Sequence, residues 1–105
     1  MDTQIGSARN RMHQVAELTP DTLTAIAERL MAATTFEDLI YRESEIDALW
    51  TLVDIQVRQA ELSCSAGELE KWTALRSRLW EAHDLIPEDR CPQAAVILRE
   101  IAARL

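Results

Sequence analysis

Four carboxylates carry the strongest chemical signal in this 105-residue chain. On a wheel of about 100° per residue, Glu43, Asp47, Asp54 and Glu61 fall within about 40° of one another, and they run along roughly 27 Å of helix. The chemistry open to such a row is electrostatic. It forms an anionic strip, spaced to meet lysines and arginines lining a basic groove, as a phosphate backbone would. The same row could be a solvated face, or be neutralised inside the fold by arginines such as Arg58 and Arg76. Trp80, toward the edge of its helix's apolar arc, is the aromatic candidate for anchoring a partner. Trp50 and Trp72 read as core.

Bond-making chemistry finds little support. His13 and His83 stand apart in sequence, and neither Glu-x-x-His nor His-Glu-x-x-His occurs, so no helical metal site is expected. No nucleophile elbow is present. Serines, histidines and aspartates could be drawn into a triad, as in almost any chain, so an enzyme is the weaker class. Cys64 and Cys91 flank one helical segment and stand about 30 Å apart by its rise, too far to bridge within the chain. Neither cofactor nor metal is expected. Arg76 lies between Leu69, Trp72 and His83 on an apolar side, where a guanidinium needs a carboxylate or an aromatic face.

The elements that must position these residues are helices. Five segments show helical spacing and none shows strand alternation. Residues 4–17 carry Ile5, Ala8, Met12, Val15 and Ala16, weakened by Gly6 and Asn10. A second segment starts at Thr19-Pro20-Asp21, with threonine as cap and proline in the first turn, and continues through Leu23, Ile26, Ala27, Leu30 and Met31. The third, residues 36–62, is capped by Thr35 and keeps Phe36, Leu39, Ile40, Ile46, Leu49, Trp50, Val53, Val57 and Ala60 to one broad face. Ser44 with Asp47 offers an alternative start, hence a possible break near Arg42 to Ser44. The fourth opens on Ser65-Ala66-Gly67-Glu68, the pattern of a capping box, and stops at Pro87. The fifth follows Cys91-Pro92 and carries Ala94, Ile97, Leu98, Ile101 and Leu105. The expected architecture is all-α: one domain over residues 1–105, a compact bundle of about five helices built around the long segment 36–62.

Composition bounds the partners. Residues 36–62 hold seven carboxylates against two arginines, a local charge of −5 out of −7 for the chain. That balance opposes direct nucleic-acid binding, which needs a basic face. No apolar run approaches the roughly 18 residues of a membrane span, and no basic, apolar leader follows Met1, so a cytoplasmic setting in a bacterium or its phage is expected. The expectation is a small acidic protein that works by binding another protein, most simply an inhibitor docking its acidic helical face on a basic, nucleic-acid-handling partner such as a nuclease or a CRISPR-type effector. Anti-CRISPR and nuclease-immunity proteins share this physical type, although no motif here assigns the chain to either. The alternative is a homo-oligomeric helical adaptor or regulatory subunit, a homodimer for instance, whose acidity serves solubility alone.

Overall fold

Threonines set the first two helices. In the computed structural model, which describes residues 17–105, Thr19 caps α1 (Pro20–Ala32) by accepting the Thr22 N–H at 3.1 Å, with Pro20 in the first turn. Thr35 caps α2 (Phe36–Leu62) through a closed capping box. Its hydroxyl accepts from the Asp38 N–H at 3.1 Å, and the Asp38 carboxylate accepts from the N–H groups of Thr34 and Thr35, each at 3.2 Å. Two more helices follow, α3 (Ala66–Leu85) and α4 (Cys91–Arg104), so every regular element of the described residues is helical. The expected first helix, apart from Glu17, lies outside them.

The cap of α2 has a pH signature. The Thr34 N–H, then the Thr35 hydroxyl and N–H, hold the Asp38 carboxyl below its ordinary 3.8. A depressed acid stabilises the fold above its unfolded pKa, and that stabilisation is lost as pH falls through the lower folded value. Titration followed by NMR should therefore show Asp38 protonating below 3.8, with Thr34 and Thr35 amide protection lost over the same range. Thr35→Ala should cost about 1 kcal/mol at neutral pH.

The start of α3 departs from expectation. Ser65 stands at the N-cap, yet its hydroxyl makes no capping bond. The Ser65 N–H is already taken, donating to the Ala60 carbonyl at 3.1 Å in the tight turn that closes α2. Glu68 therefore has no free donor to reach back to, and it accepts the Trp72 indole N–H at 2.9 Å instead. That turn places Cys64 at φ 55, and Asp89 takes φ 61 in the same role after α3, where Arg90 N–H bonds the Leu85 carbonyl. Both are left-handed positions closing a helix, usually given to glycine.

One core joins all four helices. It contains Leu23, Ile26 and Leu30 from α1, Ile46, Leu49 and Val53 from α2, Leu75 and Leu79 from α3, and Leu98 and Ile101 from α4. The neighbours run α1, α4, α3, α2, with α1 and α2 meeting only sparsely. The long helix thus lies along α3 at one side, while α4 sits between α1 and α3. Six of the fourteen α4 residues are buried, and Ala94 and Ala95 among them let helices approach on two sides.

α2 runs unbroken through Arg42 to Ser44, so the alternative start at Ser44 is not used. Its first two turns contribute only the partly buried Leu39 to the core, however: Phe36 is 77% and Ile40 48% exposed, and Met31 before them is also exposed. Helical spacing places all three in the apolar stripes, and the structure leaves them exposed. α1 and α2 meet only sparsely, and an ion pair is part of that meeting. Glu45, only 6% exposed, receives Arg29 from α1 and Arg42 from its own helix.

Candidate partner-binding face and groove

The acidic row divides when its neighbours are examined. Asp54 turns inward. Its carboxylate accepts from Arg76 of α3 at 2.6 Å and from Arg58 at 3.1 Å, and its side chain is 17% exposed. Hydrogen bonds from Arg58 and then Arg76 hold it below the usual carboxylate value. Asp47 keeps 57% of its side chain exposed while one oxygen lies 3.2 Å from His83 Nε2. Glu43 and Glu61 make no ion pair among the described residues, and Glu61 is exposed. Of the four expected carboxylates, Asp47 and Glu61 are exposed, Glu43 is partly covered, and Asp54 joins α2 to α3.

Arg76 obtains both contacts its sequence position demands. Besides Asp54, it lies 6.0 Å from the Trp50 ring centre. Trp50 in turn meets Trp80 at 6.0 Å between ring centres, tilted by 60°. His83 stacks on Trp80 at 4.7 Å, within 6° of parallel, with Nδ1 3.6 Å from Asp84. The imidazole is thus backed by a ring and has a carboxylate near each nitrogen. Trp80 remains 47% exposed, as its position at the edge of the apolar arc suggested.

Trp50, Arg76 and Trp80 border an open groove between α2 and α3, with a volume of about 710 Å³, lined also by Asp47, Thr51, Ser77 and Glu81. Glu81 and Glu100 both engage Arg78, which ties α3 to α4. Asp47 and Trp80 are legible in the sequence as members of this groove; Glu81 on its wall and His83 stacked behind Trp80 are not. The spacing of Trp80 and His83, three residues apart on one helix, was the available signal.

Among the described residues, no group of three or more His, Cys, Asp or Glu is placed to hold a metal ion, and no helix is long and apolar enough to cross a membrane. Cys64 is exposed and Cys91 buried, both free, at opposite ends of α3. Burial, and secondarily the nearby Asp89, push the Cys91 thiol pKa up, away from the reactive thiolate form. Compared with protein-family models, with curated proteins and with solved structures, the chain matches none.

Proposed function

We propose that this protein acts by binding another protein, as an inhibitor that lays the α2 face on a basic, nucleic-acid-handling surface such as that of a nuclease or CRISPR-type effector. The observation that carries it is the exposed charge of Asp47 and Glu61, with the partly covered Glu43 on the same row, beside the half-exposed Trp80. Charges at the rim and an aromatic anchor at the centre are the usual division of labour in a protein interface. The setting under this proposal is cytoplasmic, and no catalytic step is assigned to the chain.

The test is capture of host proteins on the immobilised chain, eluted by a salt gradient. The expected result is a nucleic-acid-handling protein released as salt rises and competed off by its own nucleic acid. Retention that salt does not weaken would overturn the proposal.

Exposed Phe36, Ile40 and Tyr41 on α2 favour a second arrangement, in which another copy of the chain covers the start of that helix. Light scattering distinguishes it. A dimer that Phe36→Glu converts to monomer would support the adaptor alternative, whereas a monomer in both cases would eliminate it.

A further inference from the structure

We infer that the groove between α2 and α3 is a socket for an arginine side chain of the protein partner. This deepens the acidic-face proposal and rests on it. The fold already contains one instance of the recognition required. The Arg76 guanidinium stands 6.0 Å from the Trp50 ring centre while Asp54 accepts its hydrogen bond at 2.6 Å. A cation on an indole face with a carboxylate at its edge is a stable arrangement in partly dry surroundings.

The other half of the groove holds the same kinds of group with exposure to spare: His83 stacks on Trp80 with Nε2 3.2 Å from Asp47, and Arg78 engages Glu81, yet Asp47 and Glu81 each keep 57% of the side chain exposed. Trp80 is the ring, and Asp47 and Glu81 are the carboxylates. Among the described residues no lysine or arginine stands over Trp80. Arg78, the nearest arginine in sequence, is turned to Glu81 and Glu100, two carboxylates on one guanidinium, which leaves that cluster net negative. His83 stacks on Trp80 and holds the ring in place, so little ordering is needed when a side chain enters.

Several occupants are disfavoured by the same walls. A nucleic-acid base could stack on tryptophan, but its phosphates would meet Asp47, Glu81 and Glu43. A lysine would gain the charge contact and less of the stacking, since its ammonium is a compact point charge and the guanidinium a plane able to pair with a carboxylate while lying on a ring. Arginine offers a plane to the exposed part of Trp80 and donors to the exposed oxygens of Asp47 and Glu81.

The experiment is a ¹H–¹⁵N NMR titration at low salt with a blocked peptide alternating glycine with four arginines, and with its lysine and citrulline counterparts. The arginine peptide should move the Trp80 indole resonance most and bind several-fold more tightly than the lysine peptide, with the citrulline peptide near zero. Trp80→Ala should weaken the arginine peptide about tenfold. Trp80→Phe, which keeps a ring for His83 to pack on, should weaken it less and serves as the fold control. Equal shifts from arginine and lysine spread along α2, unchanged by either Trp80 variant, would eliminate the socket and leave the acidic face standing. No response to either cationic peptide would eliminate both.

Discussion

Glu45→Ala should lower stability by about 3 kcal/mol, chiefly the cost of leaving the largely covered Arg42 guanidinium without its carboxylate. For a chain of this size that is a fall in melting temperature of more than about 10 °C. Glu45 is the one buried charged residue among those described. It is where α1 meets α2, and it holds Arg29 from one helix and Arg42 from the other. The Arg42 side chain is 17% exposed, so losing its carboxylate is costly there, whereas Arg29, at 41%, can turn to water. The expected order of damage is therefore Glu45→Ala, then Arg42→Met, then Arg29→Met. Thermal unfolding of the three variants measures it. A Glu45→Ala protein melting with the parent would mean that core packing alone holds α1 against α2.

Reversing Glu43, Asp47 and Glu61 together to lysine should weaken partner binding by at least about 100-fold at low salt, because each like-charge juxtaposition across an interface is worth a sizeable fraction of a kcal/mol or more. The fold should tolerate it. Glu43 and Glu61 form no ion pair among the described residues, and Asp47 gives up only its contact with His83. Asp54→Asn should behave in the opposite way. Its carboxylate faces Arg76 and Arg58, so the change should loosen α2 from α3 and leave binding within a few-fold. Isothermal titration against the captured partner, with circular dichroism on each variant, separates the two. If the triple variant bound like the parent, the acidic face would not be the contact surface.

What could be read from the sequence was mostly what is local. Caps at Thr19 and Thr35, the stop before Pro87 and, apart from the exposed Met31 and Leu105 at their ends, the stripes of α1 and α4 depend on residues within a turn or two, and they stand where spacing placed them. The Ser65 box failed for a reason outside its four residues, since the preceding turn had already used the Ser65 N–H. Phe36, Ile40 and Met31 have core chemistry but stand exposed, and periodicity identifies a face without saying what covers it. Asp54 and Asp47 share one rail on the wheel; only the register of α3 against α2 turns one toward Arg76 and leaves the other beside the groove. Glu45 could not be singled out, because its second arginine comes from another helix sixteen residues away.

The unbroken course of α2 bears on the time course of binding. Glu43 and Glu61 belong to one helix of twenty-seven residues, so their separation is set before any encounter. No backbone has to order itself as the partner arrives, and the charges can act at a distance of about a Debye length. Salt should therefore act chiefly on the association rate, while the lifetime of the complex follows what happens at Trp80. Two parts of one surface would then set two different clocks.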